Sequence, residues 1–284
     1  MSVHLQRGVF QRFDPLVGTT PVVVDVSRSG REYPEEFRSP VSFTAIHDNV
    51  SMYVDQIWQA TPELGGTLLY ATFPNFWIDV NRHELDIDAD LIEGTWPVPL
   101  QPTRSKTGLG LLKSKSRYGE AVHERKLSVA EVMERMDGYY HPYHAELKEL
   151  LARRHAQFGT VYHLSCHCMS ATGAPTHADA GKPRADFCLS NRNGETCSQE
   201  LMEFVAGIIT QAGFSCSLND PYVGGEIVRR YGSPARGIES LQVEINKRQF
   251  MDVLTFKKTA GFHAIQATAR AIVGALARRV PAQA

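Results

Sequence analysis

Short apolar segments alternate with segments of helical periodicity along most of this 284-residue chain. Strands that are apolar on both sides are typical of sheets with helices packed on both faces. The sequence therefore predicts an α/β protein, a three-layer α/β/α sandwich with a mainly parallel mixed sheet, formed as a single domain by residues 1–284. The segments expected to form its strands are residues 22–26, 67–71, 161–166, 215–218 and 241–245.

Helices are predicted where apolar residues recur every three or four positions, at residues 49–60 and 264–278. Ser128 and Glu131 form a capping box, which indicates the start of a helix that ends near residue 155. Ser198 is expected to cap a further helix. The strand and helix signals therefore alternate as a three-layer sandwich requires.

Composition argues against several classes of protein. The chain has 30 basic and 31 acidic residues, so no overall excess of charge attracts nucleic acid or an anionic membrane. No apolar run approaches the roughly 20 residues of a membrane helix, and the first 30 residues lack a secretory pattern. Five cysteines, an odd number, predict free thiols rather than a disulfide framework. We therefore expect a cytoplasmic protein.

Residues 84–125 are rich in Pro, Gly and Lys and have no sustained periodicity. A long irregular segment in a compact protein is often a functional loop. This segment is expected to be either a lid over the site or a plain surface insertion. Its densest basic part, residues 104–125, is interpreted as a solvated loop.

Polar residues follow several of the predicted strands, at residues 27–30, 79–82, 165–168 and 244–246. The turn at 219–225 leads into a helix that carries two arginines. Each group alone is more often structural than functional. Ligands of open α/β sheets bind beyond the carboxyl ends of the strands, however, and these groups converge there. Together they predict a site at that edge.

Seven blocks of sequence, in order from about residue 21 to residue 252, resemble the N-formylglutamate amidohydrolase family. The resemblance implies a zinc-carboxypeptidase-like α/β fold, of the broader phosphorylase/hydrolase-like kind. It also implies that a divalent metal, zinc, assists hydrolysis of N-formyl-L-glutamate to formate and glutamate. The blocks are VSRSGREYP (26–34), FWIDVNR (76–82), LSVAEV (127–132), HPYHAEL (141–147), HLSCHCM (163–169), NDPYVGGEIVRRYG (219–232) and LQVEINKRQFMD (241–252).

The resemblance also implies roles for individual residues. Glu244 matches the general base that takes a proton from water and passes it to the leaving amine. Asn81 and Arg82 match a pair that binds the substrate carboxylate, since a guanidinium binds carboxylates bidentately. Arg229 matches a position that could bind a second carboxylate, and His167 matches a metal ligand. The implied partner is a small-molecule carboxylate, with no nucleic-acid or membrane partner.

Two positions depart from the family pattern. The first block of the family reads PHSG, and the resemblance assigns its histidine to the metal; this chain has Arg28 there. An acidic ligand is expected on the following helix, where this chain has Ser51. Arginine has no lone pair for a metal. His167 alone does not hold zinc, because such a site needs about three protein ligands.

Three explanations remain open. The metal site could be shifted to His47 or Asp48, with Cys166 and Cys168 as reserve donors, although Asp48 is better interpreted as a helix N-cap. Arg28 could replace the metal electrostatically, either polarising a carbonyl or binding an extra anionic group. A variant with a cysteine nucleophile is weak, because residues flanking His167 on a strand point away from it.

The third explanation comes from a different functional class. The protein could be a metal-free pseudoenzyme that binds an amino acid or dicarboxylate. It would have kept the carboxylate pocket of Asn81, Arg82 and Arg229 and lost the metal site.

Overall fold

A computed structural model of the protein describes residues 3–174 and 179–279. Eight of its strands form one sheet, in the order β1-β2-β4-β3-β7-β10-β8-β9, and two short strands, β5 and β6, form a separate ribbon. The ten strands are β1 (Val3–Gln6), β2 (Phe10–Phe13), β3 (Val22–Val26), β4 (Thr67–Ala71), β5 (Ile92–Glu93), β6 (Leu127–Ser128), β7 (Val161–Met169), β8 (Phe187–Ser190), β9 (Cys216–Leu218) and β10 (Ile238–Asn246).

The four central strands, β4, β3, β7 and β10, run parallel to one another. On one side β2 pairs antiparallel with β4, and β1 pairs antiparallel with β2. On the other side β8 is antiparallel to β10, and β9 is parallel to β8. The prediction of a mixed, mainly parallel sheet is confirmed.

Helices cover both faces of the sheet. One apolar core contains residues of α2, α5 and α7, and a second contains residues of α4 and α6 on the opposite face. Alternate side chains of β3 enter the two cores, because successive residues of a strand point to opposite faces. The helices are α1 (Phe43–His47), α2 (Val54–Ile57), α3 (Val129–Arg135), α4 (His141–Phe158), α5 (Gln199–Gln211), α6 (Glu226–Tyr231) and α7 (Phe262–Arg278).

The predicted helix at 49–60 is wrong. The structure has α1 before it, an irregular turn, and only the short α2 within it. Tyr53 has a left-handed backbone (φ 67°), which interrupts helical geometry, and the Ser51 amide donates to the Arg28 carbonyl. Asp48 lies at the C-cap of α1, so its interpretation as an N-cap is also wrong. The turn holds Ser51 next to the end of β3.

The helix predicted from residue 128 is present and begins with the expected capping box of Ser128 and Glu131. It contains a π-helical turn at Met136–Tyr140, directly before α4. Pro142 lies in the first turn of α4, where its missing amide donor costs least. Ser198 caps α5 by accepting from the Leu201 amide, as the sequence predicts.

The segment 84–125 is largely irregular, as predicted, but its basic part is not a solvated loop. Leu111, Leu112 and Val122 are fully buried, and Asp86 anchors the segment by accepting from the amides of residues 103–105. The segment is therefore packed onto the sheet. In residues 3–174 and 179–279, no helix has the length and apolar character needed to cross a bilayer.

Candidate active site

A cavity of about 640 Å³ opens at the carboxyl ends of the central parallel strands. Arg28 follows β3, Cys168 lies near the end of β7, and Glu244 lies near the end of β10. The turn before α6 closes one side, and residues from the segment 84–125 cover another. The site therefore forms where open α/β sheets usually bind ligands.

The structure brings most of the residues proposed from the sequence to this cavity. The side chain of His167 is 1% exposed and lies directly behind the cavity wall. His47 is not among the described residues that line the cavity. The proposed residues that line the cavity are Arg28, Asp48, Asn81, Arg82, Arg229 and Glu244.

Glu244 is held by a short relay of hydrogen bonds. Gln242 lies two residues before it on the same face of β10 and donates from Nε2 to Glu244 Oε1 at 3.0 Å. The Gln242 side chain is fixed in turn by the Gly225 amide, which donates to its Oε1 at 2.7 Å. Burial raises the pKa of Glu244 to about 8, against the lowering effect of Arg28. A carboxyl group with such a pKa can accept and return a proton near neutral pH.

Arg28 extends into the cavity on a carboxylate. Its Nε and Nη2 donate to the two oxygens of Asp79 at 3.0 and 2.7 Å, a bidentate pair. Asp79 is wholly buried, also binds the ammonium of Lys113 at 3.3 Å, and accepts from the Asn81 amide. Burial alone would raise the pKa of Asp79, but the charges of Arg28 and Lys113 hold it well below its usual value.

Lys113 is a residue that the sequence did not single out. It belongs to the irregular segment 84–125, where no periodicity indicates which side chains face inward. Burial lowers the pKa of its ammonium to about 7, although Asp79 opposes this effect. Lys113 therefore changes its charge near neutral pH.

Asn81 was expected to bind substrate, but its amide group is already used in the structure. Its Oδ1 accepts from the Ile227 amide at 2.9 Å, which ties it to α6. Its Nδ2 lies 3.2 Å from Nε2 of His167 and donates to it. Asn81 lines the cavity mainly as a residue that positions its neighbours.

These contacts fix the tautomer of His167. Because Ile227 donates to Oδ1, the amide nitrogen of Asn81 must face His167, so Nε2 is an acceptor. Ser165 Oγ lies 3.2 Å from the same nitrogen. Burial, with a further effect of Arg28, lowers the pKa of His167 to about 3, so the ring is neutral and its proton lies on Nδ1.

Arg82 is anchored by backbone carbonyls alone. Its Nε donates to Leu109 at 2.7 Å and its Nη1 donates to Asn81 at 2.8 Å. Burial lowers its pKa to about 10, which leaves it charged at neutral pH. In the described part of the chain no carboxylate pairs with it. Its charge is therefore available to a ligand.

Several other cations of the cavity have acidic partners. Arg229 pairs with Glu226 at 2.7 Å and its side chain is 47% exposed, so it lies at the mouth. Asp48 is shared by Lys247, at 3.2 Å, and Arg117.

The lining as a whole is strongly basic. Among the described residues of the cavity, eight are Arg or Lys and four are Asp or Glu. The whole chain, in contrast, is nearly balanced at a net charge of −1. A lining of this kind favours ligands with more than one negative charge.

The three positions that the resemblance assigns to a metal do converge. Ser51 donates its amide to the Arg28 carbonyl at 2.8 Å, and its Oγ accepts from the amide of Cys168, the residue after His167. Their side chains, however, do not fit a metal. Arg28 and Ser51 provide no suitable donor, and the free nitrogen of His167, Nδ1, carries a proton and has no hydrogen-bond partner among the described residues.

The reserve donors do not complete a metal site either. His47 stacks on Phe43 and contacts the Tyr33 hydroxyl at 3.1 Å, outside the described cavity lining. The Asp48 carboxylate is occupied by its two cations. Burial raises the pKa of Cys168 to about 11, so it is a thiol rather than a metal-binding thiolate. Across residues 3–174 and 179–279, no group of three His, Cys, Asp or Glu could hold a metal ion.

Comparison with known proteins identifies the family. The family model described as N-formylglutamate amidohydrolase matches residues 20–251. N-formylglutamate deformylases of Pseudomonas putida and Pseudomonas aeruginosa are 28% and 26% identical over 239 residues, which cover 83% of this chain and 83% and 84% of theirs.

Solved structures agree with these relatives. The crystal structure of N-formylglutamate amidohydrolase from Ralstonia eutropha JMP134 matches with a TM-score of 0.90 and 35% identity, over 96% of this chain and 98% of that one. A gene product of Agrobacterium tumefaciens, 17% identical with a TM-score of 0.68 over 91% of each chain, shares the fold. With matches over most of its length, the chain belongs to the N-formylglutamate amidohydrolase family.

Proposed function

We propose that this protein is an amidohydrolase that cleaves the amide C–N bond of a small N-acylated amino acid. The relatives named above are deformylases or amidohydrolases of N-formylglutamate, so N-formyl-L-glutamate is the first substrate to test. The observation that carries the proposal is Glu244, a buried carboxyl group with a pKa near 8, on the wall of a basic cavity.

The basic lining supports an anionic substrate. N-formyl-L-glutamate carries two carboxylates, and Arg82 is bound by backbone carbonyls and forms no ion pair with a described acidic side chain. Arg229 at the mouth of the cavity could bind the second carboxylate in place of its present partner, Glu226. Pairing with a guanidinium is favourable for a carboxylate because two parallel hydrogen bonds form.

Glu244 would perform the proton transfers. In its ionised form it takes a proton from a water molecule as the water oxygen attacks the acyl carbon. It then gives that proton to the leaving nitrogen as the C–N bond breaks, which releases the carboxylic acid and the amino acid. Gln242 holds one oxygen of Glu244, so the other oxygen is free to face the water.

No step of this mechanism uses a metal, because the residues present do not fit one. Among the described residues, Arg28 can place its positive charge next to the developing oxyanion, because Asp79 holds Arg28 at the cavity wall. Fixed positive charge that is already oriented stabilises an oxyanion without reorganisation. His167 would act through Asn81 and Ser165 as a positioning residue.

The test is release of formate from N-formyl-L-glutamate by the purified protein. We expect turnover in the wild type and a loss of roughly 100-fold or more in Glu244→Gln, since general base catalysis contributes about that much. Glu149→Gln, a change at an exposed position of α4 outside the described cavity lining, is the matched control. Equal activity of wild type and Glu244→Gln would contradict the proposal.

A protein that binds a dicarboxylate without cleaving it is less well supported, because the relatives are named as enzymes. Tight binding of L-glutamate with no formate release from any N-formyl amino acid would favour it.

We also propose a reducing, cytoplasmic location, which agrees with five free cysteines.

A further inference from the structure

Arg28 is fixed with one edge of its guanidinium unused. Asp79 binds Nε and Nη2, while Nη1 has no hydrogen-bond acceptor among the described residues and the side chain lines the cavity. The carboxylate below it is itself immobile, because it is buried and also bound by Lys113 and by the backbone. The guanidinium is therefore oriented before any ligand arrives.

Two cations, Arg28 and Lys113, share the single carboxylate of Asp79. Asp79 contributes one negative charge, whereas Arg28 and Arg82 each contribute a positive one and Lys113 adds a further positive charge when protonated. Asp86 lies close enough to raise the pKa of Arg82, while burial raises the pKa of Glu244 and so favours its neutral form. Partly buried cations without counter-ions are costly, and an anion relieves the cost.

We propose that Arg28, supported by Asp79 and flanked by Lys113 and Arg82, is an anion-binding subsite in the place that the family pattern gives to a metal. Its ligand is the oxyanion that forms from the substrate carbonyl, and a carboxylate oxygen stands in for that oxyanion in an equilibrium binding test. The inference deepens the proposed function, since it names the group of the substrate that this position binds. Its binding test, however, does not depend on turnover.

Two features of the wall support an anion over a divalent cation here. Ser51, at the expected acidic position, adds no charge and uses its hydroxyl to accept from the Cys168 amide. His167 presents its protonated Nδ1 and not a lone pair.

The binding experiment uses glutarate as the probe anion and zinc chloride as the probe cation. We expect glutarate binding by calorimetry that weakens roughly 10- to 100-fold in Arg28→Gln, as loss of a charge-assisted hydrogen bond predicts. Arg28→Lys, which keeps the charge beside Asp79, should retain part of the affinity. Arg31→Gln, three residues away and paired with Asp55 outside the described lining, is the matched control and should bind as the wild type does.

The metal arm of the experiment is equilibrium dialysis followed by elemental analysis. We expect far less than one zinc per chain in the wild type and a gain of zinc in the double variant Arg28→His/Ser51→Glu. One zinc per wild-type chain that is lost in His167→Ala would overturn the inference. Glutarate affinity unchanged in a folded Arg28→Gln or Arg28→Lys variant would also overturn it.

These outcomes separate the inference from the proposed function. If the wild type releases formate but its glutarate affinity does not depend on Arg28, the amidohydrolase proposal stands and the anion-binding subsite is refuted. An Arg28-dependent glutarate site in a protein that releases no formate would support the subsite and refute the amidohydrolase proposal.

Discussion

Replacing Glu244 by Gln is expected to stabilise the protein at alkaline pH while it abolishes activity. Burial raises the pKa of Glu244 from 4.5 to about 8. Between these two values the folded protein binds more protons at this site than the unfolded chain does. The free energy of unfolding therefore falls as the pH rises through this window, and it stays low above pH 8. A glutamine removes this titration and can still accept the hydrogen bond from Gln242.

The magnitude follows from the width of the window. Each pH unit corresponds to about 1.36 kcal/mol, so between pH 5 and the folded pKa the wild type loses about 4 kcal/mol that Glu244→Gln retains. Urea unfolding of both proteins at pH 5 and pH 9 measures the difference. The contributions of groups that titrate in both proteins cancel, and Glu149→Gln is the control for replacing an exposed glutamate. If the free energy of unfolding differed between the variant and the wild type by the same amount at pH 5 and pH 9, the raised pKa of the Glu244 carboxyl would be refuted.

Three further predictions test other parts of the site. The kcat/KM for N-formyl-L-glutamate is expected to peak between about pH 7 and 8, because Glu244 must lose its proton while Lys113, with a pKa of about 7, must stay protonated to bind the Asp79 carboxylate that orients Arg28; a kcat/KM that keeps increasing as the pH is lowered below 6 would contradict this. Asp79→Asn should lower the free energy of unfolding by about 3–5 kcal/mol, since it leaves Arg28 and Lys113 without their buried carboxylate; in urea unfolding, a loss no larger than that of the exposed Asp137→Asn would oppose it. Cys168→Ser should release formate at the wild-type rate, because burial raises the pKa of this thiol to about 11; a loss of more than tenfold would implicate the thiol.

The central sheet could be predicted from the sequence because its strands are apolar on both sides. The strand predictions at 22–26 and 67–71 agree with β3 and β4 to the residue. β1 was not predicted, since it has only four residues and all four are exposed. The helix at 49–60 was predicted wrongly because apolar residues at helical spacing also pack when an irregular turn presents them to the core.

The site could be predicted in part, for a related reason. Arg28 follows β3 and Glu244 lies near the end of β10, and the topology of a parallel sheet brings such positions together. Arg82, expected at a strand end, lies instead in irregular chain between β4 and β5. Lys113 could not be predicted, because it lies in the irregular segment 84–125. The use of Asn81 as a structural link was hidden as well, since it depends on a contact with Ile227, which is 146 positions away in the chain.

The most direct test of an amidohydrolase with Arg28 in the place of the metal is formate release by protein stripped of metal. The purified protein is treated with EDTA, checked by elemental analysis, and assayed on N-formyl-L-glutamate with and without added zinc, beside Glu244→Gln. The account predicts release by the metal-free wild type, no increase on adding zinc, and loss in Glu244→Gln. Release that appears only after zinc is restored, or no release in any condition, would contradict it.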